Sequence, residues 1–255
     1  MFPLKDNIPT HRFPLITVAL ILANVLMYLF FQEAVQSSFL NSPDDLNVVD
    51  YGAIPFEFSH PGEGCRVAGE NLECGGSTAG QPPTWLTALT SMFMHGGLLH
   101  LAGNMLFLWI FGNNVEDSMG KGRFVLFYVL GGLAAIAAQV LVEPNAPVPT
   151  VGASGAVAGV LGGYLLLFPR ARVLTVIFLV VIFAIRELPA ILFLGIWFVQ
   201  QALFGYFDLT GPRGGGGGVA YFAHIGGFAF GLLAVKLFAD ERKRRRQYDP
   251  GLARR

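Results

Sequence analysis

Long apolar stretches constrain this chain more than any other feature of its sequence. A helix needs about 20 mostly apolar residues to cross the hydrocarbon core of a bilayer, which is about 30 Å thick. The chain carries six stretches of this kind, at residues 14–31, 86–115, 124–142, 151–168, 188–207 and 219–239. In the second stretch, residues 97–112 have the most helical character. The stretches predict an all-α, polytopic membrane protein whose six transmembrane helices form one bundle.

The composition agrees with a membrane protein. Hydrophobic residues make up 53% of the chain and charged residues 13%, whereas soluble domains carry about 25% charged residues. The 32 glycines and 23 phenylalanines are typical of helix bundles in which backbones approach closely and aromatic side chains fill the remaining gaps. An ordinary soluble enzyme is therefore excluded. The formal net charge of zero gives no indication of nucleic-acid binding.

The distribution of basic residues predicts the orientation. Six spans place both termini on the same side, and that side then holds fifteen of the seventeen Lys and Arg residues, all except Arg66 and Arg213. Basic loops mark the cytoplasmic side. We therefore expect a membrane domain at residues 1–239 with both termini cytoplasmic. The basic tail at residues 240–255 is expected to contact lipid headgroups.

Two apolar segments can be interpreted in more than one way. Residues 173–185 are too few for a span and are followed by Arg186 and Glu187, so we interpret them as a re-entrant or interfacial connector. Residues 14–31 have the basic start of a signal peptide, but no A-x-A cleavage pattern follows them. A retained helix is the preferred interpretation of this segment.

An acidic loop at residues 32–87 separates the first two spans and is predicted to face outward. It contains Cys65 and Cys74, the two cysteines of the chain. A structural disulfide is the favoured interpretation, because disulfides persist in outward compartments. Free thiols are the alternative. A zinc site is disfavoured because no other clustered ligand accompanies the cysteines.

Polar residues inside apolar spans are candidates for function, because the bilayer makes them costly. The candidates in this sequence are Asn24, His95, His100, Asn104, Ser154, Gln200, Gln201 and His224. The predicted orientation places Ser154 and His224 at similar depth near the outer surface. His100 and Asn104 fall in the first half of the second span. The sequence thus allows one shared pocket near the outer face.

Ser154 and His224 are the minimum pair for nucleophilic catalysis, in which an imidazole accepts the hydroxyl proton and returns it to the leaving group. Ser154 opens a glycine-rich helix, where unpaired amides and the helix dipole favour an oxyanion. A serine at this position is also a common helix cap. A lone buried histidine is more often structural than catalytic.

The neighbouring polar residues suggest how such a site is completed. His100 and Asn104 are four residues apart and share a helix face, so both can donate hydrogen bonds to an oxyanion. His95 lies about 140° away around the helix and is expected to stabilise the local loop. No carboxylate lies at this depth, and no H-E-x-x-H motif occurs. A dyad without metal or cofactor is predicted.

These residues together resemble the rhomboid intramembrane serine proteases. The resemblance rests on the order and spacing of motif residues in four segments: His95, His100 and Asn104; Glu116 and Gly120; Gly152, Ser154 and Gly155; His224, Gly227 and Gly231. It implies a six-helix rhomboid-like bundle with Ser154 as nucleophile and His224 as general base. His100, Asn104 and the Ser154 amide are implied oxyanion donors, and Glu116 and Gly120 are implied structural residues.

The sequence departs from this family pattern at two positions. The family often has Trp-Arg in the outward loop, whereas Trp85 is followed here by Leu86. It frequently has an aromatic residue four positions after the serine, packed on the histidine, whereas this chain has Ala158. Neither departure removes a catalytic group.

The resemblance implies that the substrates are transmembrane helices of other proteins, cleaved near the outer face. A loop at residues 208–219, with five consecutive glycines, is a candidate cover for the site, or simply a linker. The expected location is a bacterial plasma membrane, with substrates and lipids as partners. The alternatives are an inactive rhomboid-like binding or quality-control protein and, more weakly, a transporter. The sequence does not predict the oligomeric state.

Overall fold

The computed structural model describes residues 1–32, 45–68, 71–179, 182–211, 219–241, 243 and 247. The helices are α1 Leu15–Leu26, α2 Asp45–Tyr51, α3 Pro55–Ser59, α4 Thr84–Thr90, α5 Leu98–Phe107, α6 Asn113–Met119, α7 Lys121–Val142, α8 Ser154–Leu167, α9 Ala190–Thr210 and α10 Tyr221–Phe238. The strands are β1 Phe2–Asp6, β2 Glu63–Ala68, β3 Asn71–Ser77, β4 Arg172–Leu179 and β5 Ile182–Pro189. The fold is mostly helical.

Four of the helical segments in the described part are long and apolar enough to cross a membrane. They are residues Leu98–Met119, Lys121–Val142, Ala190–Thr210 and Tyr221–Phe238. Two apolar helical segments are shorter, at Leu15–Phe31 and Ser154–Leu167. Wider turns of π-helix extend α1 through Met27–Phe31 and join α5 to α6 through Leu108–Gly112. The second apolar stretch is divided, because α4 and a 3-10 turn at Ser91–Phe93 precede α5.

The prediction of an all-α fold is wrong in one respect, since the described residues include two small sheets. Residues 173–185 are interpreted from the sequence as a re-entrant or interfacial connector. The described residues of this stretch, 173–179 and 182–185, lie instead in the antiparallel pair β4–β5, to which β1 adds as a third strand in the order β1-β4-β5. Short apolar runs rich in β-branched residues do not distinguish a strand from a membrane-associated segment by periodicity. The partner strand β1 lies about 170 residues earlier, beyond the reach of any local pattern.

The segment between the first two apolar stretches is held together by covalent and hydrogen bonds. Strands β2 and β3 form an antiparallel pair in which Cys65 lies opposite Cys74, and the two residues form a disulfide. Glu57 accepts a hydrogen bond from the Cys65 amide at 2.9 Å. Arg66 donates to the Ala79 carbonyl. Residues 33–44 of this segment lie outside the described part of the chain.

Glycines bring α8 and α10 into backbone contact. A Cβ atom at Gly227 would lie 2.1 Å from the Gly155 carbonyl oxygen, and one at Gly231 would lie 2.0 Å from the Gly159 carbonyl oxygen. Real Cβ contacts are never this short, so only glycine fits at these positions. We call Gly155, Gly159, Gly227 and Gly231 the glycine seam. The seam fixes the position of α8 relative to α10 along the helix axes.

Glu116 and Gly120 organise the opposite end of the bundle. Glu116 accepts hydrogen bonds from the Ile16 amide at 3.0 Å, and from the Thr17 amide and hydroxyl at 2.8 Å each. A carboxylate at a helix N-terminus satisfies amides that have no partner within the helix. Gly120 ends α6 with a φ of +87°, a conformation that glycine adopts without a steric penalty.

Asp6 joins the three-stranded sheet to α8. Its Oδ2 atom accepts a hydrogen bond from Asn114 Nδ2 at 2.6 Å and another from the Tyr164 hydroxyl. Tyr164 is fully buried near the end of α8. Burial raises the pKa of the Asp6 carboxyl to about 6, and the hydrogen bond from Tyr164 opposes that rise. The N-terminal strand therefore has a titratable contact with the helix that begins at Ser154.

This contact predicts a dependence of stability on pH. Because the pKa of Asp6 is higher in the folded protein than the usual 3.8, the folded state binds more protons than the unfolded state between about pH 4 and pH 6. Stability contributed by this group is therefore present at low pH and decreases as the pH rises to 6. We expect thermal denaturation in detergent to show a fall of the melting midpoint by several degrees between pH 4.5 and pH 7. The fall should be smaller in Asp6→Asn, and an equal fall in both proteins would contradict the assignment.

Candidate active site

Ser154 is the first residue of α8, directly after a tight turn. Gly152 precedes it with a φ of +124°, and the Gly152 amide donates to the Ser91 carbonyl at 2.9 Å. The first amides of a helix lack partners within the helix and carry a partial positive charge. The Ser154 hydroxyl thus lies at the positive end of α8. A small cavity beside it is lined in part by Ser91 and Ala223.

His224 lies in the first turn of α10, and its Nε2 atom is 2.8 Å from Ser154 Oγ. The side chains of both residues are half-buried. Gln139 on α7 accepts a hydrogen bond from the Ala223 amide at 3.1 Å, which fixes the start of α10 beside α7. Together with the glycine seam, this bond positions the imidazole at the height of the serine.

The other edge of the imidazole faces α9. His224 Nδ1 is 2.8 Å from Gln201 Oε1, and the Trp197 ring centroid lies 6.0 Å from the imidazole centroid. Gln201 and Trp197 are one helical turn apart. The side chain of Ala158, where the resembled family often has an aromatic residue, is fully buried.

His100 and Asn104 lie on α5, and His100 faces the serine turn. A Cβ atom at Gly152 would lie 2.8 Å from two imidazole atoms of His100 and 3.4 Å from Ser154 Oγ, so the histidine and the hydroxyl border the same space. His100 is exposed. The Asn104 side chain is buried, and its Nδ2 atom has no hydrogen-bond partner among the described residues. Among the described residues, the side-chain amide of Asn104 on α5 is therefore a donor that no acceptor uses.

His95 lies behind the site and stabilises the loop that precedes α5. Its backbone amide donates to Gln32 Oε1 at 2.8 Å, and its carbonyl accepts from Gln32 Nε2 at 3.0 Å. Its Nε2 atom accepts a long hydrogen bond, 3.5 Å, from the Ala153 amide. Its ring meets that of His100 edge to face, with centroids 5.2 Å apart. These contacts connect the α5 entry loop to the serine turn.

The structure brings together some of the polar residues selected from the sequence and separates others. Ser154, His224, His100 and Gln201 border one site, whereas Asn24 donates to the Leu20 carbonyl within its own helix at 2.8 Å. No group of three or more potential metal ligands occurs among the described residues. The glycines at positions 214–218 and most of the basic tail lie outside the described part.

From the sequence alone, Gln139 and Gln32 are not identified, and Gln201 is a candidate without an assigned role. Gln139 is a polar residue within a long apolar helix, and this feature could have marked it as a candidate. Gln32 immediately follows the first apolar stretch, where polar residues are ordinary, so no signal marked it.

Comparison with known proteins places this site within one family. The family model for the Rhomboid domain matches residues 82–241. Rhomboid protease GluP of Bacillus subtilis is 42% identical over 81 residues, covering 32% of this chain and 15% of that protein. The mitochondrial Rhomboid protein 1 of Saccharomyces cerevisiae is 31% identical over 170 residues, covering 64% of this chain and 45% of its own length.

A plant protein gives a similar match. RHOMBOID-like protein 4 of Arabidopsis thaliana is 34% identical over 152 residues, covering 57% of this chain and 32% of that protein. The chain thus spans less than half the length of each of these three relatives. The domain match covers more than half of this chain and includes Ser154, His224, His100 and Gln201. The chain is a membrane protein that belongs to the rhomboid family.

Proposed function

We propose that this protein is an intramembrane serine endopeptidase that uses Ser154 and His224 as a catalytic dyad. The observation that carries the proposal is the 2.8 Å contact between Ser154 Oγ and His224 Nε2 at the start of α8. A serine hydroxyl becomes a strong nucleophile only when a base accepts its proton. The relatives named as proteases support the same class of reaction.

The proposed reaction has two stages. Ser154 Oγ attacks the carbonyl carbon of the scissile peptide while His224 Nε2 takes the hydroxyl proton. The resulting imidazolium donates that proton to the leaving amine, and the peptide C–N bond breaks to leave an ester on Ser154. Water, deprotonated by the same imidazole, then hydrolyses the ester and restores the hydroxyl.

The negative charge that develops on the carbonyl oxygen needs hydrogen-bond donors. The Ser154 amide at the N-terminus of α8 is the first, and the helix dipole reinforces it. His100 and Asn104 supply side-chain donors from α5. An oxyanion role accounts for the buried Asn104 Nδ2 group, which has no hydrogen-bond partner among the described residues. A buried polar group without a partner otherwise destabilises the fold.

We further propose that all six apolar helical segments cross the membrane, with both termini on the cytoplasmic side and the site near the outer face. The segregation of Lys and Arg supports this orientation. The substrates are then transmembrane helices of other proteins, which must unwind locally before their carbonyl carbons are accessible. The plasma membrane of a bacterium remains our predicted location. The relatives come from a bacterium, a yeast mitochondrion and a plant.

The test combines labelling and cleavage. Purified full-length protein in detergent is treated with a reporter-bearing fluorophosphonate, and the protein in liposomes is mixed with model transmembrane substrates. We expect labelling of native protein but not of heat-denatured protein, and cleavage near the outer end of the substrate helix. A folded protein that neither labels nor cleaves in lipid would favour the alternative, an inactive rhomboid-like binding protein.

Asn104 allows a prediction that separates catalysis from stability. Asn104→Leu removes the Nδ2 donor and also a buried polar group that has no partner among the described residues. We expect kcat to fall about 100-fold, as when one oxyanion donor is lost, with little change in KM. The thermal midpoint should be unchanged or higher, because an unpaired polar group is costly to bury. A loss of stability together with unchanged kcat would contradict the oxyanion role.

A further inference from the structure

Gln201 is a buried polar side chain that the dyad mechanism does not use. It lies on α9 with only 8% of its surface exposed, on a helix in which most residues are apolar or aromatic. Its Oε1 atom is 2.8 Å from His224 Nδ1. Its sequence neighbour Gln200 is exposed. Two adjacent glutamines on α9 therefore have opposite surroundings, and one of them contacts the general base.

The chemistry of this contact determines the state of the imidazole. A carbonyl oxygen of an amide only accepts hydrogen bonds, so His224 Nδ1 must carry its proton to make the bond. In a neutral imidazole the Nε2 atom then bears the lone pair. That lone pair faces Ser154 Oγ at 2.8 Å, which is the arrangement a general base requires.

The described contacts to the second edge and the face of the imidazole come from one helix. Gln201 contacts Nδ1, and the Trp197 ring lies beside the imidazole. Both residues belong to α9. On α8, the residue one turn after Ser154 is Ala158, whose side chain is a fully buried methyl group.

We propose that Gln201 is a positioning residue that holds His224 in the tautomer and orientation needed to activate Ser154, so that the site works as a Ser-His-Gln triad. The inference rests on the proposed protease function. The role corresponds to that of the third group in other triads, which orients the imidazole without receiving the substrate proton.

The first test compares Gln201→Leu with Gln200→Leu, a matched control that makes the same substitution at an exposed neighbouring position. We expect Gln201→Leu to lower kcat and the rate of fluorophosphonate labelling by about 10- to 100-fold, with KM within about twofold of wild type, because an unoriented imidazole is a poor base. Gln200→Leu should match wild type in all three values. Equal behaviour of the two variants would overturn the inference.

The second test uses Gln201→Glu, which keeps the acceptor oxygen and adds a negative charge. We expect this variant to recover most of the wild-type kcat at alkaline pH. The acidic limb of its kcat profile should move to higher pH, because a carboxylate beside Nδ1 stabilises the imidazolium. Among the described residues, His100 also borders Ser154, and it is unchanged in every variant. The charge of the carboxylate shifts the limb whether or not it orients the imidazole, so the deciding value is kcat on the alkaline plateau. A Gln201→Glu variant that stays as slow there as Gln201→Leu would overturn the inference.

These experiments distinguish two kinds of failure. If wild-type protein cleaves and labels while Ser154→Ala does neither, the proposed function stands, and only the glutamine variants decide the role of Gln201. If wild-type protein is inactive, or if Ser154→Ala remains active, the proposed function itself fails and the triad fails with it. Thermal midpoints identify a misfolded Gln201→Leu protein, in which case the Gln201→Glu profile alone decides.

Discussion

Replacing either Ser154 or His224 by alanine is expected to lower kcat for cleavage of a transmembrane substrate by about 10⁴-fold or more. The 2.8 Å contact between these residues makes them one functional unit, and losses within such a unit are not additive. The double variant should therefore be about as inactive as either single variant. Initial cleavage rates in liposomes measure the effect.

The chain offers a matched control for this experiment. Ser59 and His60 form a second hydrogen-bonded serine–histidine pair, with Ser59 Oγ 2.9 Å from His60 Nδ1. This pair lies between the first two apolar stretches, where Ser59 is exposed and is the last residue of α3 rather than the first residue of a helix. Ser59→Ala and His60→Ala should cleave and label like wild type. If these variants lose activity as the dyad variants do, the assignment to Ser154 and His224 is wrong.

A second large effect is expected at the glycine seam. A single methyl group in Gly231→Ala would lie 2.0 Å from the Gly159 carbonyl oxygen, which is a backbone atom that cannot rotate away. The helices must separate, and overpacking of this kind costs roughly 1–3 kcal/mol. We expect a clear drop of the thermal midpoint and, because Ser154 and His224 stand on the two separated helices, a loss of fluorophosphonate labelling.

Gly195→Ala is the matched control for this prediction. Gly195 also lies within a helix, but a Cβ atom there would meet nothing within 4 Å. Alanine is the better helix former by about 1 kcal/mol, so this variant should be as stable as wild type or slightly more stable. Equal destabilisation of the two variants would contradict the steric account of the seam.

Much of the fold could be predicted because apolar length and charge distribution are local properties of the sequence. The positions of the apolar helices follow from them directly. The β4–β5 pair could not be predicted because a short apolar run does not distinguish a strand from a membrane-associated segment. Its pairing with β1 spans about 170 residues and leaves no local pattern. The division of the second apolar stretch into α4 and α5 was missed for a similar reason, since uncharged residues continue through the turn.

The site shows the same division between local and non-local information. Ser154 and His224 are recognisable because each lies near the N-terminal end of a glycine-rich apolar helix, and the depth predicted for them makes their contact geometrically reasonable. The role of Gln201 depends on which face of α9 turns inward. Buried Phe193, Leu194 and Gly205 mark that face, but the sequence alone did not distinguish Gln201 from Gln200. Only the packed structure shows which glutamine reaches the histidine.

The different ways in which α8, α9 and α10 contact each other have a mechanical consequence. Through the glycine seam, α8 and α10 touch backbone to backbone, so the distance between nucleophile and base is rigid. Helix α9 contacts α10 through side chains, such as the stacked rings of Phe198 and Phe228, whose centroids are 4.7 Å apart. Side-chain contacts can slide where backbone contacts cannot. A tilt of the C-terminal half of α9 away from α10 would therefore leave Ser154 and His224 in contact and withdraw only Gln201. The catalytic pair would then be present without being ready to react.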